Sequence, residues 1–291
     1  MLTYSMPLFR PPSEADNLIL QATHGCSFNR CTFCSMYRTK TFTARPLAEF
    51  FVDVDAAAGE WPGARRVFLA DGDALTLPTD HLLAILERLA ATFPGLTRVS
   101  AYATPGNLLR KTPDELTALR AARLSLVYLG IESGSAEVLR RIAKGATPTG
   151  IAEGIGKAQA AGMKVSATVI LGLGGRELWE DHAAGTAALV NAAPPNFLST
   201  LQLGLRPDAE PGFRARFGAF TPQDDDGCLA ELAAMLAAMA PPRPVIFRSN
   251  HASNALALAG TLPKDKEALL AAVAAARDRQ KGVRPLWIRG F

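Results

Sequence analysis

Six times in succession a short apolar run, rich in β-branched and aromatic residues, gives way to a segment of helical period, and this alternation constrains the fold most. The runs lie at 17–21 (NLILQ), 66–70 (RVFLA), 97–102 (TRVSAY), 125–131 (SLVYLGI), 164–171 (KVSATVIL) and 197–203 (FLSTLQL). Most are apolar on both faces, as strands buried between layers are. Between them, 80–93 sets Leu82, Leu86, Leu89 and Phe93 on one helical face. Segment 113–122 opens Thr112-Pro113-Asp114-Glu115, with an N-cap, a proline in the first helical position and a capping-box Glu. Segment 148–161 opens on Thr147-Pro148 and stops at Gly162, and 46–58 and 176–191 complete the set. Strand-then-helix order repeated in this way predicts a parallel sheet. An eight-unit barrel takes about 250 residues, roughly 31 per unit, so residues 17–205 supply about six units. The expected fold class is α/β, a partial (β/α)6 TIM-type barrel, with a doubly wound open sheet as the alternative.

The flanks differ from this repeat. Residues 1–16 are Pro-rich and irregular, an N-terminal extension draped over the fold. Residues 206–291 form a small α-rich C-terminal extension, expected to close the open side of the barrel. There Thr221-Pro222 opens an Ala-rich helix to about Ala240, PPRP at 241–244 breaks it, and Val245–Phe247 makes a short strand. Leu262-Pro263 precedes a last helix, 264–280. The 291 residues are 48% hydrophobic and 20% charged, too apolar for wholesale disorder and enough for a large core. A net charge of +4 suits an anionic substrate but lacks the density of a dedicated nucleic-acid binder, so no nucleic-acid partner is expected. No apolar run approaches the roughly 18–20 residues that span a bilayer, and the longest, 230–240, contains Glu231. The opening MLTYSMPLFRPP lacks the basic and apolar regions of a signal peptide. A cytoplasmic protein without a membrane partner is expected.

Three of the four cysteines, Cys26, Cys31 and Cys34, fall in the segment Thr23-His-Gly-Cys-Ser-Phe-Asn-Arg-Cys-Thr-Phe-Cys34, directly after the first strand. A disulfide framework would need an even set in a secreted chain. Thiolates clustered as C-x4-C-x2-C instead read as a metal site. Two centres suit them: an iron–sulfur cluster with one iron lacking a protein ligand, or a Cys3His zinc site with His24 as fourth ligand. The chain has no second paired-Cys knuckle of the kind ribbon-type zinc sites use. The loop also follows a strand, on the side where barrels of this type build active sites. Phe33, just before the last cysteine, offers an apolar plane beside the centre. These points favour iron–sulfur. Cys228, alone in a helical segment, reads as a small buried apolar residue.

A strand, a tight three-cysteine loop with an aromatic before the third cysteine, and repeated βα units together resemble the radical S-adenosylmethionine (SAM) enzymes, over roughly 17–205. Those enzymes usually space the cysteines x3 then x2, where this chain has x4 then x2. The resemblance implies a [4Fe–4S] cluster on Cys26, Cys31 and Cys34, with SAM chelating the open iron. It also implies a one-electron donor such as flavodoxin or ferredoxin. Reductive cleavage of SAM would give methionine and a 5′-deoxyadenosyl radical that abstracts hydrogen from a small-molecule substrate.

Polar or glycine-rich residues follow each predicted strand. Asp71-Gly72-Asp73 stands where the resembled family has Gly-Gly-Glu, whose backbone holds the SAM amino group; a plain turn is the rival reading. Tyr102-Ala-Thr-Pro-Gly-Asn107 makes Tyr102 a candidate for cofactor contact or a Pro-Gly turn with an Asn cap. Gly130-Ile-Glu-Ser-Gly-Ser135, followed by a helix and KGAT (144–147), is similar to the family segment in which a Glu contacts the methionyl or ribose part of SAM. Glu132 is therefore a candidate for cofactor binding and catalysis, Ser133 a cofactor contact, and Ser135 a helix cap. Leu171-Gly-Leu-Gly-Gly175 taken alone reads as a phosphate-cradling loop that lacks the third glycine of the dinucleotide fingerprint. The resemblance implies instead a strand-end segment whose backbone passes close to adenine, with Gly172 and Gly174 permitting the approach. Arg206 could anchor a carboxylate or sit in a surface ion pair. The segment Arg248-Ser-Asn-His-Ala-Ser-Asn254 lies between apolar stretches, so its polar groups need partners. His251 in it is a candidate proton donor or substrate ligand. Two alternatives stand beside this reading: radical chemistry on RNA, and a zinc-stabilised binding module without redox chemistry.

Overall fold

The computed structural model describes residues 2–279 and 282–290. It has two compact units whose segments interleave along the chain. Residues up to Asn29, Met36–Leu129 and Gly156–Val165 form the first; Arg30–Ser35, Gly130–Ile155 and Ser166 onward form the second.

In the first unit β1 (Leu18–Gln21) leads to two short strands, β2 (Thr23–His24) and β3 (Thr43–Ala44), which pair with each other. Then come α1 (Leu47–Glu60), β4 (Arg66–Ala70), α2 (Thr79–Thr92), β5 (Arg98–Ala103), α3 (Pro105–Arg110), α4 (Pro113–Ala121) and β6 (Leu124–Glu132), whose end lies in the second unit. Strands β1, β4, β5 and β6 run parallel, with Leu18 beside Val67, Val67 beside Val99 and Tyr102 beside Tyr128. The pleat sorts the side chains. Val67, Leu69, Val99 and Ala101 are wholly buried on one face, while Phe68, Tyr102 and Tyr128 cluster edge to face on the other.

The chain continues through α5 (Ala136–Arg141), α6 (Pro148–Ala160), β7 (Lys164–Leu171), α7 (Trp179–Ala192) and β8 (Phe197–Gln202). It ends with α8 (Glu210–Phe217), α9 (Asp225–Ala238), β9 (Val245–Arg248), β10 (Ala259–Leu262) and α10 (Lys266–Arg279). Strands β7, β8 and β9 are parallel, and β10 returns antiparallel to β9. The fold class is α/β: the eight strands count as one mostly parallel sheet, in the order β1-β4-β5-β6-β7-β8-β9-β10. No described helix is long and apolar enough to cross a membrane.

The six expected strands and the helices between them are present, and the differences have local causes. The helix expected from Thr221 starts only at Asp225, capped by Asp224, which accepts from Gly227 N–H at 2.8 Å. Thr221 is held outside it, because its N–H and hydroxyl both donate to the Glu177 carboxylate. The helix expected from 176 begins at Trp179, after the turn through Gly172–Gly175. The Pro-Gly segment after β5 is the start of α3 rather than a plain turn, with Thr104 and Asn107 forming a capping box.

The N-terminal extension does more than drape. Glu14, fully buried, accepts from Arg98 (2.9 Å), Ser100 Oγ (2.9 Å) and the Tyr128 hydroxyl (2.6 Å), and from Asn17. It ties the extension to β5 and β6. Burial, and then this hydrogen bond to Glu14, push the Tyr128 phenol upward. Glu14→Ala removes the buried acceptor shared by Ser100, Tyr128 and Arg98 and unpairs Arg98, so it is expected to cost about 2–4 kcal/mol of stability, read from urea unfolding.

Candidate functional site

The cysteines lie on the irregular segment between β2 and β3, whose pairing closes the loop at its base. All three are partly exposed. Two buried carboxylates at the end of β4 hold the backbone on either side of Cys26. Asp71 accepts from Gly25 N–H at 3.0 Å, from Lys40 Nζ at 2.7 Å and from Gln21 Nε2 at 3.1 Å. Asp73 accepts from Ser27 N–H at 2.8 Å and Ser27 Oγ at 2.5 Å, with Asn107 Nδ2 at 3.4 Å. Burial raises the Asp73 carboxyl, against the pull of the Ser27 hydrogen bonds. Gly72, between them, donates to Gly25 O at 3.1 Å. A Cβ there would lie 2.5 Å from Cys26 Cβ, so only glycine admits the loop this close.

The other two thiols belong to the second unit. Cys34 N–H donates to Cys31 O at 3.2 Å, closing a turn, and Thr32 N–H donates to Ile142 O just past α5 at 2.9 Å. Two residues on, Lys144 is buried and donates to Glu132 Oε1 at 2.8 Å. Burial pulls the Lys144 ammonium down, but Glu132, Cys31 and Cys34 outweigh it and the net shift is upward. Glu132 itself has φ +63°, a left-handed conformation that a non-glycine residue adopts under constraint and that concentrates at functional sites. Its carboxylate folds back over Gly130, where a Cβ would stand 2.1 Å from Oε1.

Among the described residues no three His, Cys, Asp or Glu side chains are gathered as a bound ion would hold them. The donor set still fits an iron–sulfur centre. It comprises three partly exposed thiols on one loop, and in the second unit a buried cation whose charge acts on two of them, Cys31 and Cys34. His24, the candidate fourth zinc ligand, pairs in register with Thr43. Burial lowers its imidazole, followed by the charge of Arg45.

A second buried group joins the ends of β6 and β7. Ser133 Oγ is 2.7 Å from His182 Nδ1 on α7 and accepts from Ser135 N–H at 3.0 Å. His182 Nε2 stands 3.4 Å from Glu231 Oε1 on α9, without the alignment of a hydrogen bond. Glu231 Oε1 accepts from Gly172 N–H at 2.8 Å, and Oε2 accepts from Gln223. Gly172 has φ +78°, which a side chain would strain. Ser135 caps α5, accepting from Val138 N–H at 3.1 Å. Gly174 packs on the backbone of Leu178, leaving no room for a side chain.

Past β8 and β9 the polar side chains serve the sheet. Asn254 Oδ1 accepts from Gln202 N–H at 2.7 Å, and Asn254 Nδ2 donates to Thr200 O at 2.6 Å. His251 Nδ1 accepts from Ser253 N–H at 3.1 Å, so the neutral ring carries its proton on Nε2. Burial, then Arg284, lowers its imidazole. Arg206 is 67% exposed, with Nε 3.3 Å from Asp208, the geometry of a surface pair. Tyr102 lines the aromatic cluster with Phe68 and Tyr128, and Phe33 is partly exposed on the cysteine loop. Cys228 is buried, as expected, and burial pushes its thiol up. Sequence reasoning missed Lys144, His182 and Glu231 as parts of these groups.

Burial raises the Glu231 carboxyl to about 8 from 4.5, and lowers the His182 imidazole to about 4 from 6.5. The folded state thus keeps a proton on Glu231 that the unfolded chain releases, and this contribution to stability is lost as pH rises from 4.5 toward 8. The His182 contribution has the opposite sign and is lost as pH falls from 6.5 toward 4. Glu231→Gln is expected to gain stability relative to the parent protein between pH 6.5 and 8, by up to about 1.4 kcal/mol per pH unit, read from urea midpoints.

The family model for the radical SAM superfamily matches residues 20–185, more than half of the chain. No curated protein matches the sequence. Among solved structures, coproporphyrinogen III oxidase from Escherichia coli, a radical SAM enzyme, aligns with 18% identity and a TM-score of 0.59, over 76% of this chain and 52% of that one. Methylornithine synthase aligns with 13% identity and a TM-score of 0.54, over 88% of this chain and 68% of that one. The radical SAM methyltransferase TsrM from Kitasatospora setae, solved with cobalamin and a [4Fe–4S] cluster bound, aligns with 18% identity and a TM-score of 0.53, over 65% of this chain. The chain spans 26% to 37% of the length of the first structures it matches. The likeness is one of fold, the partial-barrel type expected from the repeat.

Proposed function

Because the chain belongs to the radical SAM superfamily and is therefore an enzyme, we propose that Cys26, Cys31 and Cys34 hold a [4Fe–4S] cluster for reductive cleavage of SAM and hydrogen abstraction from a small-molecule substrate. When bound, the cluster supplies the electron that splits SAM into methionine and a 5′-deoxyadenosyl radical. The reading rests above all on the cysteine loop, with Cys26 fixed between the two backbone groups that Asp71 and Asp73 hold.

The chain's own residues supply binding and placement. Lys144 offsets the negative charge of thiolates at Cys31 and Cys34 and fixes the Glu132 carboxylate. Glu132 then accepts from the ribose or the ammonium of SAM. The backbone of Ser133, Gly172 and Gly174, at the ends of β6 and β7, forms the wall against which the adenosyl part rests. Tyr102 and Phe33 supply apolar surface that keeps water from the reacting groups. The carboxylates of Asp71 and Asp73 are committed to the loop, so their segment serves SAM through its backbone. Arg206 offers an anchor for a substrate carboxylate, and His251 a proton at Nε2. An electron donor of the flavodoxin or ferredoxin kind would approach the partly exposed cysteine loop. A cytoplasmic setting suits such chemistry.

Reconstitution with iron and sulfide under anaerobic conditions is expected to give a brown protein that releases 5′-deoxyadenosine from SAM with dithionite. Replacing any of Cys26, Cys31 or Cys34 by Ala should abolish both iron loading and 5′-deoxyadenosine. His24→Ala should leave iron content unchanged. A colourless protein that takes up stoichiometric zinc and loses it on His24→Ala would overturn the reading. Gly72→Ala, which drives a methyl group into Cys26, is expected to lower iron content by at least about twofold without loss of fold, measured by iron analysis beside circular dichroism.

A further inference from the structure

We propose that His182 and Glu231 act together as positioning residues, setting the ends of β6 and β7 relative to each other and with them the wall that receives the adenosyl part of SAM. This rests on the reading of Ser133 and Gly172 given above.

His182 and Glu231 are both fully buried, on α7 and α9, helices whose other buried residues include Ala183, Leu232 and Met235. Burying such groups is costly, and well-packed apolar side chains in their place are often neutral or stabilising. Packing alone therefore gives no reason to keep them. Their partners supply one. His182 reaches Ser133, one residue past β6, and Glu231 reaches the N–H of Gly172, one residue past β7. Each helix contacts one strand end, and the two side chains meet at 3.4 Å behind them.

The surroundings serve the same end. Gly134 and Gly185 bring α7 against the end of β6 so closely that a Cβ on Gly134 would stand 2.1 Å from Gly185 O. Gly134 N–H donates to Thr186 Oγ1 at 2.9 Å. Asp181 on α7 accepts from Ser135 Oγ. On the α9 side, Gln223 donates to Glu231, and Cys228 Sγ would lie 3.3 Å from a Cβ on Gly172. Residues 133–135 are held from α7 and residue 172 from α9, and the His182–Glu231 contact links the two holds. Neither residue touches SAM in this account. They act through Ser133 and Gly172.

The test is titration of S-adenosylhomocysteine, which lacks the reducible sulfonium, into cluster-loaded protein, with iron content and circular dichroism recorded for each variant. His182→Ala and Glu231→Ala are each expected to weaken binding about tenfold, and the double variant by no more than either single one, as in a coupled pair. Glu231→Gln, which keeps an acceptor for Gly172 N–H, should stay within about twofold of the parent protein. Folded single variants that bind normally, or losses that multiply in the double variant, would overturn the proposal. If the alanine variants do not fold, hydrogen exchange on His182→Asn decides: faster exchange confined to Ser133, Gly134 and Gly172 supports it, and unchanged exchange there sinks it. A parent protein with full iron but no affinity for S-adenosylhomocysteine would instead overturn the reading of the site beneath it.

Discussion

Two carboxylates at the end of one strand hold the backbone amides on either side of Cys26, and the function argued for this chain depends on that clamp. Asp71 and Asp73 are both fully buried. Charge so placed is expensive unless every oxygen finds a donor. Here the donors are Gly25, Ser27, Gln21 and Lys40. The cost of burial is thereby converted into a fixed loop. Gly72, flanked by the two, completes the seat by having no side chain. A loop tied in this way takes its geometry from β4 rather than from its own sequence. The unusual x4 spacing is therefore compatible with a cluster site, since the extra residue lies beyond the clamped pair, between Ser27 and Cys31.

Much of the fold was legible because hydrophobic period and capping chemistry are local. Helices α4 and α6 begin at their prolines, where Thr112 and Thr147 announced them. What went unread was decided at a distance. Thr221-Pro222 looks like a helix start in isolation, yet Glu177, 44 residues away, takes both donors of Thr221 and delays α9 to Asp225. Pro105-Gly106 suits a turn or a first helical turn equally well, and Asn107 tips it to a helix by completing the capping box. Strand β10, with the sequence AGTL, has too little pattern of its own and exists because β9 offers it an edge.

The site divides along the same line. Cysteine spacing and GIESGS can be read from the chain because thiols and a carboxylate beside glycines are rare and purposeful together. Lys144, His182 and Glu231 stand singly in helical or turn segments, where one polar residue normally faces solvent. A signal existed for Glu231: it shares a helical face with Cys228, Leu232 and Met235, all buried, so the period of α9 put a carboxyl group on the core side. His182 lies likewise one turn before Thr186 and two before Val190, both buried. A titratable residue on the apolar stripe of an otherwise ordinary helix is thus a better pointer to a buried network than residue type alone.

The same accounting separates two polar segments that looked alike in sequence. RSNHASN has the composition of an active-site loop, but β9 stops at Arg248 and would leave the last residues of β8 without a partner. The Asn254 side chain takes over. Its carbonyl accepts from Gln202 N–H and its amide donates to Thr200 O, the two groups that a neighbouring strand would engage. The Asn254 amide is consumed in finishing a sheet edge. At the ends of β6 and β7 the Ser133 hydroxyl and the Gly172 N–H are reached instead by side chains brought in from two helices, at the expense of burying an imidazole and a carboxyl group. A sheet edge can be completed by any side-chain amide of the right reach. Two strand ends need a shared buried pair only if their separation matters, and the object that would feel that separation is a ligand lying across both.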